Sequence, residues 1–332
     1  MRHALESPTV QAAVNLGGGT DVIVRIIASG TEEVGGDITS RTLTAGSVTV
    51  LPDSGVNFTL NLNNKLLTLN KGYRLQGFKI ESRDPGGSNA KAAITLAAAG
   101  TPLKDMLIDC RDLGTAGTAT TDAGLGDRCI EVTASSTTSA TVTLDNVDVL
   151  IKGDKDFTAG IHHKGANTIL RVINGSSVVA TGQEAGSSGN QGVVGILENS
   201  NGGSVEIEGP NTEVSLSAIQ PAASGARNVA ILLRSNSGPT RKVINSEIKV
   251  NEANPGQTGV CVGGNITVTV RDNTFTNSFS GNNSIAICQQ AGIVSPTPLP
   301  PVNTFNNFFT PPPDTAERRF LTSSSSPSCS CP

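Results

Sequence analysis

Short segments in which apolar and polar residues alternate, separated by turn residues, fill most of the chain. In residues 260–289 the alternation runs through Val260-Cys261-Val262, residues 266–270 and Ile285-Ala286-Ile287, with Gly-Gly and Asp-Asn turns between them. Alternation with a period of two is typical of β-strands. Because the last segment repeats the pattern of the first, the stretch predicts one turn of a coil.

The same unit recurs upstream along the sequence, and each upstream copy begins with a small residue followed by isoleucine. The equivalent positions are Ile94, Ile130, Ile161, Ile196, Ile231, Val260 and Ile285. Successive equivalents lie 25 to 36 residues apart, which indicates constant strands joined by loops of variable length. A repeating strand unit of this size is typical of a solenoid. We therefore predict an all-β protein with one parallel β-helix over residues 1–292, right-handed because parallel crossovers almost always are.

This repeat also predicts which side chains face the interior. We expect a buried set formed by Ile94, Leu96, Ile130, Val132, Ile161, Ile196, Ile231, Val260, Val262, Ile285 and Ile287. The alternate positions then form an outward column in contact with solvent, with neighbours about 4.8 Å apart. That column contains Thr95, Glu131, His162, Leu197, Leu232, Cys261 and Ala286.

The two ends of the repeat have different patterns. Residues 7–16 predict a short helix with Ser7 as N-cap and Pro8 at the first helical position, followed by three glycines. Its apolar residues can cover the open end of the first coil. Residues 293–332 are rich in Pro and Ser and predict a tail that does not continue the strand ladder. Residues 302–309 are the exception, because they are apolar enough to fold back over the last coil and cap it, and the rest is predicted to be linker or disordered.

Composition narrows the possible partners. The chain has a net charge of −4 and no run of Lys or Arg, so it lacks the basic face that nucleic acid binding requires. No stretch approaches the roughly 20 apolar residues that span a bilayer. Residues 1–6 lack the apolar core of a secretory leader. The compartment therefore stays open, with an extracellular or cell-surface location favoured if a leader has been removed.

Several segments resemble the pectin-lyase-like group of parallel β-helix proteins. The helix with Val-Gln-Ala-Ala-Val, the glycine break and the strand at residues 22–27 are similar to the capped first coil of that group, and residues 270–277 resemble its coil repeat. The group includes pectate lyases, polygalacturonases, pectin methylesterases, phage tailspikes and surface proteins without a known reaction. The catalytic signatures of the enzymes do not carry over, since the chain has no Asp-Asp pair and no Trp. The resemblance implies the fold and leaves the function open.

One pair in the outward column has the composition of a catalytic site. Glu131 is expected beside His162, and a carboxylate next to an imidazole can act as a general acid/base pair. Because the carboxylate favours the protonated imidazole, Glu131 is the candidate base and His162 the candidate acid or a clamp for the substrate. The alternative is that Glu131 and His162 are neighbouring, solvated side chains on the face of the sheet and have no catalytic role. The candidate substrate-binding residues nearby are His163, Lys164, Asp154 and Asp156.

Acidic residues and cysteines give two further hypotheses. Oxygen ligands for Ca²⁺ are available from Asp109, Asp112, Asp122 and Asp127, which with Arg111 surround a Gly/Ala/Thr-rich insert. Ordinary turn chemistry is the alternative, and no other cofactor is predicted. Among the six cysteines, Cys110 and Cys129 can be bridged. Cys261 and Cys288 are expected about 8 Å apart, so buried thiols are the prediction for them.

These observations predict a function only in outline. The first hypothesis is a non-catalytic β-helical surface or binding module, because rows of Ser, Thr and Asn on flat sheets suit contacts with glycan or protein. The second is a polysaccharide lyase or glycoside hydrolase centred on Glu131 and His162. The third is a phage-type receptor-binding spike, which requires a trimer. The sequence leaves the oligomeric state open.

Overall fold

The computed structural model describes most of the chain. The described residues are 1–16, 19–83, 92–112, 128–137, 139–153, 158–182, 193–218, 228–251, 257–277, 284–296, 301–306, 308, 320–322, 329 and 331. Two helices, α1 (Arg2–Glu6) and α2 (Pro8–Leu16), come first. All the regular secondary structure that follows them in these ranges consists of β-strands. None of the helices described is both long and apolar enough to cross a bilayer.

The strands follow one another in successive coils. Coils 1 to 3 contain β1 (Asp21–Ile26), β2 (Gly30–Glu33) and β3 (Ile38–Thr39), then β4 (Ser47–Pro52), β5 (Phe58–Asn61) and β6 (Leu67–Leu69), then β7 (Tyr73–Gln76), β8 (Lys79–Arg83) and β9 (Ala92–Leu96). Coils 4 and 5 contain β10 (Gly100–Asp112) and β11 (Arg128–Val132), then β12 (Ala140–Gly153) and β13 (Ala159–His163). Coils 6 and 7 contain β14 (Thr168–Ile173), β15 (Ser177–Gly182) and β16 (Val194–Glu198), then β17 (Ser204–Glu208), β18 (Glu213–Ala218) and β19 (Val229–Leu233). Coils 8 to 10 contain β20 (Arg241–Ile244), β21 (Glu247–Asn251) and β22 (Thr258–Val262), then β23 (Thr267–Arg271), β24 (Thr274–Asn277) and β25 (Ile285–Gln289), then β26 (Ile293–Val294), β27 (Thr304–Asn306) and β28 (Phe320–Thr322).

Every coil pairs in parallel with the next, and the strands stack into three faces. Face 1 begins with β1 and β4, face 2 with β2 and β5, and face 3 with β3 and β6. The long strands β10 and β12 run through the corner between faces 1 and 2, so these two faces form one continuous 18-stranded sheet. Face 3 is a separate sheet of ten strands, one from each coil. The predicted all-β parallel β-helix is confirmed.

The repeated isoleucines form a buried ladder on the inner side of face 3. Ile94 pairs with Ile130, Ile130 with Ile161, and the series continues through Ile196 and Ile231 to Val260. The prediction fails at the last member, because Val260 pairs with Ile287. Ile285 pairs with Thr258 and packs on the outer side of the sheet. The observed register of β25 differs from the predicted one by two residues, which keeps the inward and outward alternation intact.

Close packing explains the small residue that precedes each isoleucine. A Cβ added to Gly195 would lie 2.5 Å from the carbonyl oxygen of Ala230 and 2.9 Å from Val214 Cγ1. Gly160 is confined in the same way by the backbone of Gly195. Face 3 therefore meets face 2 at a row where only small side chains fit.

The N-terminal helix is confirmed where the sequence predicted it. Pro8 begins α2, and Ser7 Oγ accepts a hydrogen bond from the Val10 N–H at 3.5 Å. Val14 of α2 is fully buried against the first coils, as is Leu5 of α1, which the sequence did not predict. The two helices thus cover the open end of the interior.

The C-terminal segment extends the ladder by one coil. Strands β26, β27 and β28 pair in parallel with β23, β24 and β25, and Phe305 stacks on Phe275 with ring centroids 5.2 Å apart. The expectation that this segment would not continue the ladder is wrong for β26 and β28, whereas β27 lies within residues 302–309, for which the sequence predicted packing over the last coil. The three strands are two or three residues long and contain no proline. The prolines, which have no backbone N–H to donate, therefore lie outside these strands and do not interrupt the ladder.

The outer side of face 3 is buried, which the sequence did not predict. The outward column runs through Glu131, His162, Leu197 and Leu232, and Leu197 is only 1% exposed. Cys288 takes the place predicted for Ala286. A second apolar cluster covers this side and contains Ala159, Val194, Leu197, Val229, Leu232, Cys261, Cys288, Leu321 and Cys329. Solvent exposure of the column was therefore a wrong prediction.

Candidate functional site

Glu131 and His162 lie side by side, as the repeat predicts. They are direct partners in the ladder between β11 and β13, and Glu131 Oε1 lies 3.4 Å from His162 Nδ1. Glu131 is 8% exposed and His162 is 2% exposed. The pair therefore lies on the outer side of the sheet and is almost closed to solvent.

Two cations complete this group, which we call the Glu131 cluster: Arg128, Glu131, His162 and Lys164. Glu131 Oε1 lies 2.8 Å from Arg128 Nη1 and 3.0 Å from Lys164 Nζ. Arg128 comes to the same side as Glu131 because the two residues that follow it, Cys129 and Ile130, both belong to the interior core. This irregularity in the alternation is what brings the guanidinium to the carboxylate.

The electrostatics of the cluster differ from the sequence expectation. Burial raises the pKa of Glu131, but His162, Arg128 and Lys164 outweigh it and lower that pKa to about 2. Burial lowers the pKa of His162 and outweighs the opposing effect of Glu131. The expected protonated imidazole is therefore a wrong prediction, since His162 is neutral near pH 7. A carboxylate with so low a pKa is a weak general base at neutral pH.

The candidate substrate-binding residues separate in the structure. Lys164 joins the Glu131 cluster. His163 is fully buried and pairs with Val132 and Glu198 on the inner side of face 3, so it cannot reach a ligand at the surface. This corrects its predicted role. Asp154 and Asp156 lie outside the described residues.

A polar group inside the β-helix was missed by sequence reasoning. Glu198 and Arg241 are both fully buried and form an ion pair of 3.1 Å. Arg241 also donates to the carbonyl oxygens of Pro239 at 2.7 Å and Ser237 at 2.8 Å. Neither ring nitrogen of His163 has a hydrogen-bond partner, and burial, followed by His162 and Arg241, lowers its pKa to about 3. The sequence does contain a signal for this group, because His163 and Glu198 occupy ladder positions that are apolar in the neighbouring coils.

The acidic group proposed for Ca²⁺ is an ion-pair network where the structure describes it. Arg111 donates to both carboxylate oxygens of Asp109, from Nε at 2.9 Å and from Nη2 at 2.7 Å. The hydrogen bond from Arg111 is the main reason why the pKa of Asp109 is lowered. The side chains of Asp112, Asp122 and Asp127 lie outside the described residues. Within the described ranges, the only close group of three or more metal-ligating side chains is Cys261, Cys288 and Cys331, whose sulfurs are in disulfides.

Arg111 lies in an open groove on face 2, which we call the face 2 groove. Its volume is about 410 Å³, and its lining consists of Glu81, Ser82, Arg83, Asp109, Arg111 and Lys152. The strands β8, β10 and β12 of three successive coils supply these residues. A second groove of about 320 Å³ lies on the same coils, between Phe78, Leu107 and Asp148. The sequence indicates Asp109 and Arg111 as part of a charged cluster but does not show the groove around them.

All six cysteines are in disulfides. Cys110 is bonded to Cys129, as the sequence allowed. Cys261 is bonded to Cys331, and Cys288 to Cys329. The prediction that Cys261 and Cys288 are buried thiols is therefore wrong. The predicted separation of Cys261 and Cys288 is wrong as well, because the register of β25 makes them direct neighbours in the ladder.

Comparison with known proteins gives no relative. No family model, no curated protein and no solved structure matches the chain.

Proposed function

We propose that this protein is a non-catalytic binding module for acidic polysaccharide and that the face 2 groove is its binding surface. One observation carries the proposal: three cationic side chains from three successive coils line one open groove. They are Arg83, Arg111 and Lys152. Coils about 4.8 Å apart present such groups at regular intervals, which suits a repeating chain of negatively charged sugars.

The balance of charge in the groove favours an anionic ligand. Its two acids, Glu81 and Asp109, both contact Lys79 at the flank, and Asp109 is also held by Arg111. The Arg111 side chain is 56% exposed and uses only Nε and Nη2 for Asp109. Since a guanidinium has five N–H donors, some remain for a sugar carboxylate. The groove thus combines satisfied acids with donors that still face solvent.

The properties of the Glu131 cluster argue against acid/base catalysis at that place. A general base works best when its pKa lies near the working pH, and that of Glu131 lies at about 2. Its carboxylate is also nearly closed to solvent and already contacts Arg128, His162 and Lys164. A lyase or hydrolase at this cluster is the less favoured candidate.

Cysteine pairing supports a location outside the reducing cytoplasm. Three disulfides link cysteines that are all described in the structure. Disulfides persist in oxidising environments and are rare in cytosolic proteins. An extracellular or cell-surface setting, where acidic polysaccharides occur, is consistent with the proposed ligand.

The proposal is tested by calorimetric titration with polyuronide oligosaccharides and with neutral oligosaccharides of the same length. We expect binding only to the acidic series, weakening as salt is added because exposed charges are screened. Arg111→Ala and Lys152→Ala should each weaken binding at least tenfold, which corresponds to about 1.4 kcal/mol.

Arg271→Ala is the matched control, because Arg271 is an exposed arginine paired with Asp272 far from the groove. It should leave the affinity unchanged. Equal binding of neutral sugars, or equal weakening by Arg271→Ala, would contradict the proposal. Formation of new reducing ends or unsaturated products from the same panel would support the enzyme, and a trimeric mass in solution would support the spike.

A further inference from the structure

Four cysteines meet on the outer side of face 3, where the last coils lie. Cys261 and Cys288 are direct neighbours in the ladder between β22 and β25. Cys331 is bonded to Cys261, and Cys329 to Cys288. The sulfur atoms of Cys261, Cys288 and Cys331 all lie within 4.8 Å of one another. The two disulfides are therefore close enough for a thiolate from one to reach a sulfur of the other.

We infer that these cysteines form an intramolecular thiol–disulfide exchange site, at which one thiol reductant releases both Cys329 and Cys331 from the sheet. The released product contains a new disulfide between Cys261 and Cys288. Adjacent parallel strands lie about 4.8 Å apart, which is within the Cα separation that a disulfide accepts. The new bridge thus needs little movement of the two coils.

Exposure determines which sulfur the reductant meets first. Cys261 and Cys288 are fully buried and Cys329 is nearly so, whereas Cys331 is partly exposed. The Cys331 N–H donates to Gln290 Oε1 at 2.8 Å, which keeps Cys331 beside the sheet. An external thiolate therefore attacks the sulfur of Cys331, and the thiolate of Cys261 is the leaving group.

The exchange then proceeds within the protein. The Cys261 thiolate attacks the sulfur of Cys288, forms the Cys261–Cys288 bond and expels the thiolate of Cys329, which takes up a proton. The second thiol of a dithiol reductant resolves the mixed disulfide at Cys331 and leaves as its cyclic disulfide. Two electrons and two protons pass from the reductant to Cys329 and Cys331, and one protein disulfide is lost.

The outcome differs from simple reduction in a way that can be measured. Without exchange, two electrons open Cys261–Cys331 alone, and Cys329 still holds the segment to the sheet. With exchange, the same two electrons free both cysteines, and Cys261 of coil 8 becomes bonded directly to Cys288 of coil 9. The segment is thus released at half the reductant that two independent disulfides would need.

Limited reduction of the intact protein with a dithiol tests this inference. The thiols are trapped by alkylation and located by peptide mass mapping in molecules that carry two labels. We expect the labels on Cys329 and Cys331, together with a peptide pair joined through Cys261 and Cys288. Labels on Cys261 and Cys331 would overturn the inference.

A single substitution gives a second test without a reductant. In Cys331→Ser, Cys261 is left as a thiol beside the Cys288–Cys329 bond, and exchange should move the free thiol to Cys329. A free thiol found only at Cys261 would contradict the inference. As a control, Cys110–Cys129 lies in the interior core and should remain unlabelled in both experiments.

Discussion

The chemistry of Glu131 is determined by its neighbours rather than by its residue type. In the sequence it is a carboxylate next to a histidine in a predicted column. In the structure it is closed to solvent, and three side chains contact the same oxygen atom. Burial alone would raise its pKa, but these contacts lower it. Glu131 therefore stabilises the coils as an anion at neutral pH.

Replacing this anion should cost stability. In Glu131→Gln the carboxylate charge that Arg128, His162 and Lys164 contact in a nearly buried site is removed, so we expect the free energy of unfolding to fall by about 3 kcal/mol, measured by urea denaturation at pH 7. Glu208→Gln is the control, because Glu208 is 41% exposed and contacts Arg171 only at 3.8 Å. Its loss should be below about 0.5 kcal/mol. Similar losses for the two variants would contradict the proposed role.

His163 should make the protein sensitive to acid. Its pKa is lowered from 6.5 to about 3 in the folded state, so the unfolded chain binds a proton at higher pH than the folded chain does. The stability that the neutral ring provides is complete above pH 6.5 and is lost as pH falls towards 3. At pH 4 this amounts to about 3 kcal/mol.

The measurement compares urea denaturation of the parent and His163→Leu at pH 7 and pH 4. We expect the parent to lose more stability than the variant between these two values. His3→Gln is the control, since His3 is exposed at the N-terminal helix, and it should follow the parent. If His163→Leu is as sensitive to acid as the parent, the buried ring does not titrate as described.

At the scale of the element, the strands of face 3 are buried on both sides. All five residues of β16 are buried, with Ile196 in the interior core and Leu197 in the outer cluster. Strands buried on both faces are usual in parallel sheets that are covered by other elements. Alternation in the sequence therefore shows which side of the sheet a side chain faces, but not whether that side is exposed to solvent.

A pair of substitutions in β16 tests this burial. Ile196→Asp and Leu197→Asp should both reduce the free energy of unfolding by several kcal/mol, because each places an unpaired carboxylate in an apolar cluster. Val179→Asp, on the half-exposed outer side of face 2, should cost less than half as much. Urea denaturation provides the comparison. A mild effect of Leu197→Asp would mean that the outer side of face 3 is open to solvent.

At the scale of the whole molecule, the sequence predicts the fold far better than the site. The isoleucine ladder was predicted as far as Val260 because each coil repeats one local pattern, so an error in one strand is corrected by its neighbours in the repeat. The helix at residues 7–16 was predicted from its own end signals, Ser7, Pro8 and the glycines that follow it. The last coil was missed because β26 and β27 are too short to show alternation. The predicted register at Cys288 is wrong for a related reason, since the spacing between equivalent positions varies from coil to coil and the sequence alone does not show where β25 begins.

The site was harder to predict because it depends on contacts between coils. The adjacency of Glu131 and His162 follows from the ladder and was predicted. The position of Arg128 depends on an irregularity within β11, and the ion pair between Glu198 and Arg241 joins different faces of different coils. No spacing in the sequence records such contacts. Solvent exposure, which decides whether Leu197 or His163 can meet a ligand, is also a property of the assembled coils.

The stacking of each coil on its predecessor has a consequence for how the protein is made. A coil needs only the chain already synthesised before it, so the coils can be completed in order from the N-terminal helices while later residues are still being added. The two disulfides at the end of the stack differ, with sequence separations of 70 and 41 residues. They close only after Cys329 and Cys331 have emerged. Oxidation of these cysteines would then take place on coils 8 and 9 after those coils have been assembled.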